Sequence, residues 1–138
     1  MLKLSRLSAL LLAALLVLTP IAESSISKLL DAVKPLSIDA MHIYTGEVKR
    51  INICTTASIN KNVSGKGKGG YWLTAYHCVD DLELTYWIGE QKAPVVMRDV
   101  LNDLAILWTE KPAKVALKLA NRQPQFGDKI MTAGYPFG

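Results

Sequence analysis

Trp72-Leu73-Thr74-Ala75-Tyr76-His77-Cys78-Val79 is the stretch from which the rest of the chain is read. A short apolar run that ends on a histidine, followed at once by a cysteine, fits a strand that buries its side chains and delivers an imidazole to the lip of a core. Cys78 offers a covalent tether at the same place. A lone histidine at the edge of an apolar strand is more often structural than catalytic, so the weight of His77 depends on its surroundings.

Around this stretch β-branched and aromatic residues alternate with turn signals spaced about eight to twelve residues apart, the rhythm of an antiparallel all-β barrel or sandwich. Candidate strands are Met41 to Thr45, Lys49 to Ile59, Tyr71 to Ala75, Leu82 to Ile88, Ala93 to Val100, Leu104 to Thr109 and Asp128 to Ala133. Gly89-Glu90-Gln91-Lys92 reads as a hairpin connection, and Glu110 to Gly127, with Pro112, Pro124 and Gly127, as a connector. Ahead of the strands Ile26, Leu29, Leu30 and Val33 recur at helical spacing and Pro35 closes the pattern, which predicts a short helix or stalk over Ile26 to Leu36.

Ser64-Gly65-Lys66-Gly67-Lys68-Gly69-Gly70 invites a phosphate-cradle reading and fails it. The nucleotide-binding loop needs lysine followed by serine or threonine opening a helix, whereas Gly70 runs into Tyr71 and a strand. A flexible, solvated hairpin tip is the expectation there.

At 138 residues the chain has room for one ordinary domain, and its apolar half supplies a core. The net charge of +4 is mild and its basic residues are dispersed, so no nucleic-acid partner is expected. Lys3 and Arg6 precede an apolar run from Leu7, and Ala22-Glu23-Ser24 offers small residues for cleavage, so residues 1–24 read as a signal peptide. The alternative is an uncut anchor that would make the membrane a partner. The run from Leu7 to Ala22 holds 22 − 7 + 1 = 16 residues, short of the about 20 that a span requires. Export, secreted or periplasmic, would place Cys54 and Cys78 in an oxidising compartment, where two thiols usually pair. A bridge between them would close a loop of 78 − 54 = 24 residues, stabilising by roughly 3 kcal/mol on the chain-entropy model. Spacing alone leaves two buried free thiols as an alternative.

Asn102-Asp103-Leu104-Ala105-Ile106-Leu107 supplies a carboxylate immediately before an unbroken apolar strand. Such an aspartate is drawn to the core edge and needs a partner there, and an imidazole N–H is a good one. A strand-capping turn residue is the plainer reading of Asp103, and Asp99 is the runner-up for the orienting role.

Taken in chain order, the His77-Cys78 motif, the Asp103 motif and Gly134-Tyr135-Pro136-Phe137-Gly138 resemble the front half of a trypsin-like serine protease of bacterial type, over about Cys54 to Gly138. The resemblance implies a trypsin-like antiparallel β-barrel, the first of two, over residues 41–110. It is preceded by a helical or propeptide-like segment at 25–40 and followed by a connector at 111–127 and the opening strand of a second barrel at 128–138. It implies His77 as general acid and base, Asp103 as its orienting carboxylate, a Cys54–Cys78 disulfide, a protein or peptide substrate, and no metal or organic cofactor.

Tyr76 departs from the family's pattern, which has a small residue there, and the loop from Asn60 to Gly70 is long. The larger departure is that no glycine-flanked nucleophilic serine follows. Ser58 and Ser64 precede the histidine and belong to the wrong barrel. The donors of the oxyanion site lie around that serine and are missing with it, so this chain by itself is expected to be inactive and to be a truncated part of a longer protease. Alternatives are an exported non-catalytic binding module and a barrel completed by a separate chain. Cleavage specificity and oligomeric state are not encoded in what is present.

Overall fold

The computed structural model describes residues 26–59 and 68–135; the leader reading for 1–24, the loop 60–67 with Ser64, and Pro136-Phe137-Gly138 lie outside the described residues. A short helix over residues 26–32 is followed by β1 (Val33–Met41), β2 (Val48–Ile59), β3 (Gly70–Ala75), a 3-10 turn at Tyr76–Cys78, β4 (Tyr86–Ile88), β5 (Gln91–Lys92), β6 (Val95–Asp99) and β7 (Leu104–Thr109). All seven strands belong to one antiparallel sheet in the order β5-β4-β1-β2-β3-β7-β6.

The two outer strands of that order, β5 and β6, are consecutive in sequence and separated only by Ala93 and Pro94. The sheet therefore has to curl until its edges meet. On either side of this corner the neighbouring ladders are prolonged, the Ala93 N–H donating to the Tyr86 carbonyl (2.8 Å) beside β4 and the Trp108 N–H to the Pro94 carbonyl (3.0 Å) beside β7. Inside the curl Leu36, Trp72, Val79, Tyr86, Ile88, Ala93, Ala105 and Leu107 form the main core, and Ile59, Tyr71 and Ile106 a smaller one. Among the described residues no helix is long and apolar enough to cross a membrane.

The helix expected to reach Leu36 ends at residue 32, where β1 takes over and runs through the middle of the sheet. The curled sheet thus takes in Val33–Met41, ahead of the first strand expected at Met41. Helical spacing from Ile26 to Val33 is genuine, but Leu36, Ile38 and Ala40 change to alternation, and ladders to both β2 and β4 outweigh local propensity. Pro35 is tolerated because the β1–β4 pairing begins at Leu36↔Ile88, so at Pro35 the strand is paired on the β2 side alone.

Met41 to Thr45 is likewise no strand beyond Met41: the chain reverses there, with the Gly46 N–H donating to the His42 carbonyl and the His42 N–H to the Glu47 carbonyl, each at 2.8 Å. Gly46 takes φ +68°, and Ile43 and Tyr44 stand in solvent at 84% and 87% exposure, so β-forming composition alone was misleading. The segment Leu82 to Ile88 contracts to β4 because β1 offers it partners only at Leu36, Ser37 and Ile38. The two-residue turn at Gly89 and Glu90 joins Ile88 to its partner Gln91.

Residues 128–133 form no strand. A strand exists only as part of a ladder, and here Ile130 and Met131 are exposed, while the Asp128 carboxylate accepts from the Gln125 N–H (2.9 Å) and Arg122 (2.8 Å) to close a turn. The segment after β7 touches the sheet at Leu117, whose N–H donates to the Ser58 carbonyl (2.7 Å), and at Tyr135, whose N–H donates to Thr55 Oγ1 (2.7 Å).

The glycine run also differs from a wholly solvated tip, since Gly70 is buried and opens β3. A Cβ on Gly70 would stand 2.5 Å from Thr109 Oγ1 and 2.9 Å from Trp72 Nε1, the pair joined by a buried 2.9 Å hydrogen bond. Gly70→Ala is accordingly expected to destabilise the fold by about 1–3 kcal/mol, read as a lower midpoint in urea with an unchanged m-value.

Candidate active site

The register of the β3–β7 ladder brings the two candidate groups together. Its last pair is Ala75↔Leu104, so the next residues outward, Tyr76 and Asp103, face each other, and the Tyr76 N–H donates to the Asp103 carbonyl at 3.1 Å. Beyond that point β3 has no partner and turns into the 3-10 turn carrying His77. The His77 backbone N–H donates to Asp103 Oδ1 (3.0 Å), and His77 Nδ1 lies 2.7 Å from Asp103 Oδ2. One carboxylate thus grips both the main chain and the ring of one histidine.

Asp103 adopts φ +53°, the left-handed region that aspartate and asparagine enter more readily than most residues. Asp99 supports that turn without facing the histidine: its Oδ1 accepts from the Asn102 N–H (3.1 Å) and its Oδ2 from Asn102 Nδ2 (2.8 Å). The Asp99 side chain thus reaches the N–H three residues on and braces the turn that carries Asp103.

On the other side Cys78 is bonded to Cys54 on β2, with Cα atoms 6.2 Å apart, and Val79 is fully buried in the main core. His77 is therefore fixed from three directions, by Asp103, by the disulfide and by Val79. A bulge in the β1–β2 ladder contributes: Leu36 pairs with Cys54 but Ser37 with Asn52, so Ile53 is an extra residue immediately before the bridged cysteine. Such a bulge bends its strand and re-aims the side chains beside it, and no residue pattern announced it. Tyr76 is half-buried, and Ser58 is 1% exposed in the interior, where no substrate could reach its hydroxyl.

The pair itself is open, with side-chain exposures of 70% for His77 and 51% for Asp103. In water such a contact adds little stability, so its value lies in orientation. The His77 backbone N–H, followed by the imidazole hydrogen bond, holds the Asp103 carboxyl below the usual carboxylate range. A depressed carboxylate contributes above its unfolded pKa and loses that contribution as pH falls through its folded one. The protection of the His77 amide, taken relative to its pH-dependent intrinsic exchange rate, is accordingly expected to persist as pH falls through the ordinary carboxylate range and to drop only below it; a drop within that range would contradict the assignment.

Comparisons with protein families, with characterised proteins and with solved structures return no match. The chemistry of the site therefore rests on its own geometry. Where the Nδ1 proton is donated to Asp103, Nε2 is the nitrogen left unprotonated, the arrangement required of a general base and of a metal-binding imidazole alike.

Proposed function

We propose that this chain is the base-bearing barrel of an exported trypsin-like serine endopeptidase. In this reading His77 Nε2 takes the proton of a serine hydroxyl as the serine oxygen attacks the peptide carbonyl, and then returns that proton to the departing amine. Asp103 holds the tautomer and faces the positive imidazolium formed between the two steps. The observation that carries the reading is the double grip of Asp103 on His77, at 3.0 Å on the main chain and 2.7 Å on the ring.

Export is supported by the Cys54–Cys78 bridge, since such bonds persist in oxidising compartments. The substrate is a protein or peptide, and no cofactor takes part. In this reading the nucleophile and oxyanion donors are not among the 138 residues, which by themselves are expected to be inactive.

The test is to read the gene past codon 138, express the complete product and treat it with an active-site phosphonate. A glycine-flanked serine, covalent labelling and loss of labelling in His77→Ala are expected. A stop codon at that point, together with a folded chain that ignores the reagent, favours the non-catalytic binding module instead.

A further inference from the structure

Cys54 Sγ, Cys78 Sγ and one imidazole nitrogen of His77 lie within 4.8 Å of one another. In the oxidised chain the sulfurs are bonded to each other and cannot serve as thiolate ligands. We propose that the dithiol form of this chain binds one Zn²⁺ through Cys54, Cys78 and His77, with water in the fourth position.

Two thiolates and an imidazole are a donor set that zinc favours. Zn–S bonds of about 2.3 Å at the tetrahedral angle set the sulfurs about 3.8 Å apart, an opening that side-chain rotation can supply from Cα atoms 6.2 Å apart. The donors also have holds apart from the bridge: Cys54 lies on β2 within its ladder to β1, and Val79, next to Cys78, is anchored in the core. Asp103 on Nδ1 fixes the tautomer and leaves Nε2 for the metal, the carboxylate–histidine support that zinc-binding imidazoles commonly have. His77 is exposed and both cysteines are half-buried, so solvent has a path to the ion.

The conversion balances with a dithiol reductant. The S–S bond accepts two electrons and two protons, the reductant becomes a disulfide, and zinc binding releases the two thiol protons. Only the functional consequence rests on the proteolytic reading: zinc on Nε2 occupies the nitrogen that would accept the serine proton.

The full chain, reduced with a phosphine, is titrated with Co²⁺ and then with Zn²⁺. One equivalent of Co²⁺ is expected to give thiolate charge-transfer and tetrahedral d–d bands that Zn²⁺ abolishes. Zinc affinity is expected to exceed that of the Cys54→Ser/Cys78→Ser variant, and of the disulfide form, by on the order of 100-fold or more, and Asp103→Asn to lower it about 10–100-fold. His77→Gln removes a ligand and His42→Gln none, so the first weakens binding and the second leaves it unchanged. Binding no tighter than in the double variant, or unaffected by His77→Gln, overturns the site. Should reduction loosen the fold, zinc is expected to restore the near-ultraviolet circular dichroism; a reduced chain that stays unfolded with the ion overturns it equally. None of these readouts involves hydrolysis, so the site and the proteolytic reading fail independently.

Discussion

Asp103→Asn is expected to lower kcat of the proposed endopeptidase by on the order of 10⁴ while leaving the fold in place. Asparagine shares the tolerance of aspartate for φ +53°, so the turn between β6 and β7 survives. Its side-chain oxygen can still accept from the His77 N–H, which keeps the main-chain half of the grip. The other half is lost as a charge and inverted as a hydrogen bond: an amide NH₂ toward Nδ1 stabilises the tautomer whose proton sits on Nε2. A base protonated at its reactive nitrogen cannot accept the serine proton. Kinetics of the purified variant, beside its circular dichroism, check this; a loss under tenfold with unchanged spectra would place Asp103 among ordinary turn residues.

Replacing both cysteines, Cys54→Ala with Cys78→Ala, is expected to destabilise the chain by roughly 3 kcal/mol. The bridge closes a separation of 24 residues in the unfolded chain, and in the folded one it joins the bulged part of β2 to the turn that bears His77. For a domain of this size that loss corresponds to a fall in Tm of on the order of 10–20 °C by calorimetry. The double substitution is the proper comparison, because a single one leaves a free thiol able to pair between molecules. A shift under about 3 °C would show that ladder and core hold the turn without the covalent tie.

What the sequence revealed of this arrangement depends on where local pattern and tertiary partners agree. Leu104–Thr109 reads as a strand and is one, because it lies between β3 and β6 and its buried run meets apolar neighbours. His77 and Asp103 were legible as a pair because each stands at the end of an apolar strand, and antiparallel register sets such ends side by side. Cys54 and Cys78 were legible as a pair because they are the two cysteines of the chain and the family resemblance joins them, spacing alone leaving free thiols open; the bond is formed.

Elsewhere a local signal pointed away from the tertiary outcome. Ile26 to Val33 keep a helical period up to the point where β1 starts, and Pro35 looks like a helix stop, not a residue inside a sheet. The later alternation of Leu36, Ile38 and Ala40 was the available signal for β1. Met41, Ile43 and Tyr44 have strand composition in what is a turn, because Gly46 and the two backbone bonds between His42 and the Gly46–Glu47 corner decide the path. The extra residue at Ile53 and the left-handed Asp103 lie deeper still, since both are consequences of ladder register that composition does not carry.

The measurement that bears most directly on the His77–Asp103 pair is ¹⁵N NMR of the imidazoles of the folded, disulfide-bonded chain at mildly alkaline pH. His42 is identified by substitution. For His77 the prediction is a proton resident on Nδ1, an unprotonated Nε2, and loss of that preference in Asp103→Asn. A resident Nε2 proton that is indifferent to Asp103 would contradict the account.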